Sequence, residues 1–165
     1  MTTEKISAAD IGACCDLYNH YIRNTCFTLE EEEVSHEEFA ARVERICRTY
    51  PYIVARNDAG EVVGYAYLDT FNPRSAYRRT ADLSIYVSHR HLHEHIGGIL
   101  LAAIEKEAKE YGITTLISII TSENAGSVAF HEKNGFIREG TIHDVAVKFG
   151  KTLSIDYYRK PLRKT

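Results

Sequence analysis

Four histidines at alternate positions precede two glycines and an amphipathic helix pattern in the stretch HRHLHEHIGG. They are His89, His91, His93 and His95. Imidazole side chains bind metal ions, change charge near neutral pH and contact anions. A turn that leads into a helix also exposes the unpaired first amides of that helix, which attract phosphate groups. The stretch therefore predicts an anion-binding turn, while metal binding and pH sensing stay open as alternatives.

A second group of chemically active side chains lies downstream, in the pattern N-x-x-S-x-x-x-H-E-x-x-G-F. Its first members are Asn124, Ser127 and His131. A neutral imidazole donates a hydrogen bond from one ring nitrogen and accepts one at the other, so His131 suits proton transfer or a structural contact. The four cysteines lack the C-x-x-C spacing of zinc sites, and we expect reduced thiols and no metal.

Apolar periodicity predicts the elements that must position these groups. Helical spacing occurs over residues 11–22, 35–46, 96–112 and 127–133. Runs of β-branched and aromatic residues predict strands, among them TADLSIYV and the apolar TTLISIIT, which we expect to be buried on both faces. FIREGTI predicts a further strand, and VAVKFGKTLSIDYYRKPL predicts a final strand with a hairpin or bulge around Gly150. The predicted order is β-α-α-β-β-β-α-β-α-β-β, an α/β (α+β) mixture around one central sheet.

The composition is that of a globular chain of 165 residues, with 26% charged side chains and a formal net charge of −3. No linker or repeat divides it, so residues 1–165 are predicted to form a single domain. Acidic side chains outnumber basic ones, which argues against nucleic-acid binding. The N-terminal segment is polar and no stretch reaches the ~20 apolar residues of a membrane span, so we predict a cytoplasmic protein without membrane association.

Two stretches together, YVSHRHLHEHIGGILL and ITSENAGSVAFHEKNGF, resemble the acyl-coenzyme-A binding segments of the GNAT acetyltransferase superfamily. Three more, LYNHYIRNT, GYAYLDTFNPRSAYRRTADLSIYV and VKFGKTL, are similar to the phosphinothricin and methionine sulfoximine type N-acetyltransferases. The resemblance covers about residues 10–160. It implies the GNAT fold, a mixed, mostly antiparallel sheet of six to seven strands flanked by about four helices. It also implies a homodimer that transfers acetyl from acetyl-coenzyme A to the primary amine of a small amino-acid-like substrate.

The resemblance assigns two catalytic candidates, Asp82 and His131. Asp82 stands where the family has a glutamate that deprotonates the amine, and its shorter side chain makes a water relay more necessary. His131 is expected to contact the substrate or carry a proton. The substrate-binding candidates are Leu29, Arg74, Tyr77 and Lys148. Among them, the Arg74 guanidinium suits a carboxylate or phosphinate, and Leu29 replaces an aromatic contact of the relatives.

The coenzyme candidates form three groups along the chain. The backbone of one group is expected to polarise the thioester carbonyl and pair with the pantetheine arm: Ser84, Ile85, Tyr86 and Val87. The turn and the helix start are expected to hold the pyrophosphate: His93, Glu94, His95, Ile96, Gly97 and Gly98. Asn124 and Ser127 complete the set.

The histidine turn departs from the family pattern, which is Gln/Arg-x-x-Gly-x-Gly/Ala. Leu92 and His95 replace its first two elements, and only Gly97 survives. His95 places a β-carbon where glycine lets the backbone approach the pyrophosphate, so weaker coenzyme binding is expected unless Gly98 or the histidines compensate. Two interpretations follow: an active N-acetyltransferase, or a catalytically degenerate binding or sensing module with weakened acetyl-coenzyme-A binding.

Overall fold

The computed structural model describes residues 1–162 and has the predicted order of elements. The helices are α1 (Ile11–Asn24), α2 (His36–Cys47), α3 (Ile96–Glu110) and α4 (Ala125–Lys133). The strands are β1 (Thr2–Lys5), β2 (Tyr52–Arg56), β3 (Val62–Thr70), β4 (Thr80–Val87), β5 (Thr115–Thr121), β6 (Ile137–Lys148) and β7 (Lys151–Pro161). The predicted fold class is therefore confirmed.

The strands form one sheet in the order β1-β2-β3-β4-β5-β7-β6. All neighbours are antiparallel except β4 and β5, which run parallel. Their pairing covers only three positions and ends at Asp82 opposite Ile117. Because β4 continues to Val87 and β5 to Thr121, the two strands part beyond that point and leave a slot through the sheet.

Each face of the sheet packs against two helices. On the α1–α2 face the core includes Cys14, Ile22, Phe39, Val54 and Tyr65. On the α3–α4 face it includes Leu68, Leu83, Leu100, Ile104 and Leu116. The alternation of side chains along a strand thus assigns each β4 residue to one face of the slot or the other.

The close approach of α3 to the sheet depends on Gly64 of β3. A β-carbon added there would lie 3.0 Å from Leu100 Cδ1 and 3.1 Å from Ile96 Cγ2. Any larger residue would push α3 outward, since protein interiors are packed too densely to absorb an extra methyl group. Gly64 therefore fixes the height of the α3 N-terminus above β4.

The connection between α1 and α2 is held from within the core. The Asn19 amide donates to the Val34 carbonyl and accepts from the Val34 N–H, each at 2.8 Å. Ser35 then caps α2, because its hydroxyl accepts from the Glu38 N–H at 3.1 Å. These contacts order the loop that carries Leu29.

One expectation about a strand and one about a helix need correction. Ile119 of β5 is exposed, so the prediction that this strand is buried on both faces is wrong at that position. Beyond the slot, the neighbouring β4 no longer pairs with β5 and does not shelter this part of the strand. In addition, α4 begins two residues before the predicted start. None of the helices within residues 1–162 is long and apolar enough to span a membrane.

Candidate active site

The alternation of β4 divides the slot into two chemically different sides. Asp82, Ser84 and Tyr86 lie on the α1–α2 face, because they stand directly opposite Asp69, Tyr67 and Tyr65 of β3 in the antiparallel register. Leu83 and Ile85 pack on the α3–α4 face. The β5-facing edge of β4 has no strand partner after Asp82, so its amides and carbonyls are available to a bound molecule.

Asp82 occupies the point at which the slot opens. Its Oδ1 atom is buried and has no hydrogen-bond partner within residues 1–162. Burial, together with the negative charge of Asp69, raises the pKa of Asp82 to about 6. A half-buried carboxylate with a buried, unused acceptor atom and a pKa just below neutrality has the properties of a general base.

A cavity of about 370 Å³ lies on the α1–α2 face beside Asp69. That volume is typical of small-molecule sites. Its walls combine aromatic rings with charged groups: Tyr18, Phe39, Arg42, Val43, Arg45, Ile46, Tyr52, Tyr65, Tyr67 and Asp69. Tyr67 also stands directly opposite Ser84 in the antiparallel register, which links the cavity to β4.

The loop between α1 and α2 closes over this region and is anchored by Lys148. The Lys148 side chain is only 1% exposed, and its Nζ atom donates to the Thr28 carbonyl oxygen at 2.8 Å. Burial lowers the pKa of this amine. Leu29, the next residue of the loop, is exposed. Lys148 thus holds the backbone beside Leu29.

The sequence patterns did not indicate three polar residues near this loop: Tyr18, Glu30 and Arg42. The Tyr18 hydroxyl lies 2.9 Å from Thr28 Oγ1 and donates to Glu30. The Arg42 guanidinium donates to both Glu30 oxygens, from Nη1 to Oε2 at 2.9 Å and from Nη2 to Oε1 at 2.7 Å. Glu30 belongs to an acidic run, and such runs are usually solvated turns, so the sequence did not single it out. For Arg42, the sequence offered one signal, its four-residue spacing from Glu38, which is typical of a helical ion pair.

Arg74 and Tyr77 lie on the connection between β3 and β4. Both side chains are exposed, and the Tyr77 ring packs edge-on against Phe71 at 5.9 Å between centroids. This connection starts after Thr70 and returns to the sheet at Thr80. The two residues therefore emerge from the end of the sheet that carries Asp69 and Asp82.

His131 is buried on the α3–α4 face, so the two catalytic candidates lie on opposite faces of the sheet. Its Nδ1 atom is 2.7 Å from the Ser127 carbonyl oxygen and its Nε2 atom is 3.1 Å from Ser118 Oγ. A carbonyl only accepts, so Nδ1 carries the proton and Nε2 accepts from the serine. Burial lowers the pKa of His131, which keeps the ring neutral. These contacts favour a positioning role that ties α4 to β5.

The histidine turn reaches α3 through two left-handed residues, His93 at φ 69° and His95 at φ 60°. His95 is the N-cap of α3 but its side chain makes no capping bond, so the first amides of the helix stay free. A β-carbon on Gly98 would meet nothing within 4 Å, whereas one on Gly97 would lie 3.2 Å from Phe130. Glu94 and Leu92 are exposed, and Ile96 is buried.

The remaining coenzyme candidates flank the slot. The Tyr21 hydroxyl donates to the Val87 carbonyl at 2.5 Å and fixes the end of β4. The Asn124 side chain accepts from the Ser127 N–H and caps α4, and Ser127 Oγ lies 3.2 Å from His131 Nδ1. A free strand edge that leads to free helix amides matches an extended thioester with a phosphorylated end, so these residues fit acyl-coenzyme A.

The other histidines of the turn diverge from one another. The His89 ring stacks on His20 of α1, with 3.5 Å between ring centroids. His91 Nδ1 lies 3.3 Å from a Glu94 oxygen. In the part of the chain that the structure describes, no group of three or more His, Cys, Asp or Glu residues is arranged to hold a metal ion.

A sequence profile of the acetyltransferase (GNAT) domain matches residues 4–155. The chain belongs to the GNAT acetyltransferase family. This acetyltransferase is 31% identical to phosphinothricin N-acetyltransferase of Streptomyces viridochromogenes, over 93% of this chain and 84% of the relative. It is also 31% identical to the L-methionine sulfoximine/L-methionine sulfone acetyltransferase of Pseudomonas aeruginosa, over 95% and 92% of the two chains.

A solved structure gives the same assignment. The GNAT superfamily phosphinothricin acetyltransferase from Sinorhizobium meliloti, in complex with acetyl-coenzyme A, superposes with a TM-score of 0.94 at 32% identity. The match covers 98% of this chain and 88% of that chain. The sequence-based assignment to the family is confirmed, and this GNAT acetyltransferase is an acyltransferase that depends on acetyl-coenzyme A.

Proposed function

We propose that this GNAT acetyltransferase acetylates the primary amine of a small amino-acid-like molecule of the phosphinothricin or methionine sulfoximine type. One observation carries the proposal: Asp82 lies where β4 and β5 part, with a buried, unpartnered oxygen, on the face that holds the cavity. The similar relatives named for phosphinothricin and methionine sulfoximine support this class of substrate.

In this proposal the two substrates meet from opposite faces of the sheet. Acetyl-coenzyme A supplies an activated thioester when bound. Backbone groups of residues 84–87 orient and polarise its carbonyl, and the free amides at the start of α3 hold its phosphates. Asp82 accepts the proton of the amine, directly or through one water, and is mostly ionised at neutral pH because its pKa is about 6.

The substrate candidates take different roles around the amine. Arg74 and Tyr77 bind its acidic group, since a guanidinium fork and a phenol suit a carboxylate or phosphinate. The Lys148 side chain is buried and its Nζ atom donates to the Thr28 carbonyl oxygen. Lys148 therefore affects the substrate indirectly, by holding the loop that carries Leu29. Leu29 then borders the substrate from the exposed side of the loop.

Calorimetry with acetyl-coenzyme A, followed by a thiol-release assay, tests the function. The amine panel should contain phosphinothricin, methionine sulfoximine and their N-methylated forms, which lack a primary amine. We expect saturable coenzyme binding and turnover with the two primary amines only. Absence of binding at millimolar coenzyme, or binding without release of thiol from any amine, would favour the degenerate binding module instead.

We also propose that the protein is a homodimer and is cytoplasmic. The edge strand β6 supports the dimer, because it exposes a row of large apolar side chains: Ile137, Ile142, Val145 and Val147, followed by Phe149. An exposed apolar edge is typical of a surface that pairs with another chain. Free thiols at Cys14, Cys15, Cys26 and Cys47 agree with a reducing compartment.

A further inference from the structure

A second carboxylate faces Asp82 across the β3–β4 ladder. Asp69 is its direct partner in the antiparallel register, so both side chains project from the same face. Directly opposed like charges repel each other, and neither is screened fully because Asp82 Oδ1 is buried. Asp69 also lines the cavity assigned to the amine.

Asp69 is held in place by an arginine from a different element. Arg45 of α2 donates to both Asp69 oxygens, at 3.1 and 3.0 Å, and the Thr70 N–H donates to Oδ1 at 2.8 Å. The paired carboxylate raises the pKa of Arg45, so the guanidinium stays charged. The nearest charges thus form a line from α2 to β4, in the order Arg45, Asp69, Asp82.

Besides burial, the negative charge of Asp69 raises the pKa of Asp82. On the opposite side β5 presents Ile117, which is apolar, at the paired position. From β3 the neutral Tyr67 precedes Asp69, and burial raises its pKa. His131 is neutral and lies on the other face.

We propose that Asp69 and Arg45 are positioning residues that set the proton affinity of Asp82 in the acetyl transfer proposed above. The Asp69 carboxylate favours a proton on Asp82 and so makes it a stronger base. The Arg45 guanidinium offsets part of that effect, which keeps Asp82 largely unprotonated at neutral pH. The position of α2 relative to the sheet therefore influences the proton affinity of the base through Asp69.

The test uses two substitutions with opposite expected signs. Asp69→Asn removes the repelling charge and should lower the titration midpoint of Asp82 by about one pH unit. Arg45→Gln removes the offsetting charge and should raise that midpoint by roughly half a unit. Arg45→Lys keeps the charge and should restore the midpoint to near its original value. The matched controls are Arg48→Gln and Glu44→Gln, which break an exposed ion pair on the same helix and should move nothing.

Two readouts separate this proposal from the proposed function. The Asp82 carboxyl carbon, identified by its loss in Asp82→Asn, is titrated by NMR without any turnover. The acidic limb of kcat/KM against pH should then move in the same directions as the NMR midpoint. Unchanged midpoints, or shifts of the same sign in both variants, would overturn the tuning roles even if acetyl transfer is intact. Midpoint shifts with no acetyl transfer would support the tuning roles and reject only the proposed function.

Discussion

At the scale of single residues, the burial of Asp82 suits the proposed general base but destabilises the folded protein when the carboxylate is charged. Its carboxyl is half-buried and lacks a partner for one oxygen, which is unfavourable for a charge. The same burial brings the pKa close to neutrality, where a general base is most effective. Sites that perform chemistry commonly retain such locally unfavourable groups.

This cost gives a pH dependence of stability with a definite sign. The pKa of Asp82 is about 6 in the folded protein, above the ~3.9 of an unfolded chain, so the folded state binds the proton more tightly. Its contribution is therefore fully present below pH 4 and is lost as pH rises to about 6. Above pH 6 the loss approaches roughly 3 kcal/mol.

We predict that Asp82→Asn raises the free energy of unfolding by about 1 to 2 kcal/mol at pH 7.5 and has little effect at pH 4. Urea denaturation of both proteins at the two pH values measures this. A variant that is less stable than the parent at pH 7.5 would show that the carboxylate is stabilised by the fold, contrary to the burial described above.

The sequence indicated which residue types could act, but not the direction in which each side chain points. His131 was predicted to be catalytic and Lys148 to bind substrate, yet both are buried and make hydrogen bonds within the protein. Spacing along one helix cannot reveal that Ser118 of β5 meets the His131 ring, because that contact depends on how α4 packs on the sheet. Asp69 was missed for a similar reason, since only the strand register brings it opposite Asp82.

At the scale of elements, the histidine turn has a left-handed backbone conformation of the kind usually occupied by glycine, but at a histidine. His95 has φ 60°, a left-handed conformation that costs a non-glycine residue about 1 kcal/mol and that histidine tolerates better than most residues. The backbone therefore enters α3 by a route that glycine also adopts readily, while the His95 side chain occupies space near the free amides. The departure noted in the sequence affects contact with phosphate more than the fold.

We predict that His95→Gly tightens acetyl-coenzyme-A binding about threefold to tenfold, because the backbone keeps its path and loses the β-carbon. Isothermal titration calorimetry at pH 7.5 measures the change. His93→Gly is the matched control, since His93 is also left-handed but lies two residues further from the helix; its effect should be smaller. An unchanged Kd for His95→Gly would indicate that this position does not face the phosphates.

Sequence patterns predicted the helices better than the burial of β5 and the length of β6. The Ser35 cap acts locally, so its signal can be read from the neighbouring residues. The exposure of Ile119 and the length of β6 depend on what lies next to those strands. Bulges interrupt β6 between Arg138 and Gly140 and between Ile142 and Ala146, which breaks the two-residue alternation that predicts a strand.

At the scale of the whole molecule, the sheet separates two binding functions. The coenzyme candidates lie on the free edge of β4 and at the ends of α3 and α4, whereas the cavity and Asp82 lie on the α1–α2 face. The two sides of the sheet are connected through the slot between β4 and β5. In the proposed mechanism, this separation allows the sequence of the pyrophosphate turn to change without altering Asp82.

The apolar edge of β6 leads to a prediction about assembly. In sedimentation equilibrium the protein should behave as twice its chain mass of 18.7 kDa, and Val147→Asp should shift it toward the single-chain mass. Val147 is 64% exposed, so a charge there harms pairing without disturbing the core. Tyr111→Asp, at an exposed site after α3, is the control and should leave the dimer intact. A monomeric parent protein would contradict the dimer.

The most direct test of the account is the turnover of Asp82→Asn with acetyl-coenzyme A and a primary amine that the parent enzyme accepts. Asparagine keeps the size of the side chain and cannot take up the proton, so kcat should fall by roughly 100-fold or more. The Kd of acetyl-coenzyme A should stay within about twofold, because this side chain lies on the opposite face from the free α3 amides. A kcat close to that of the parent enzyme would show that Asp82 is not the base.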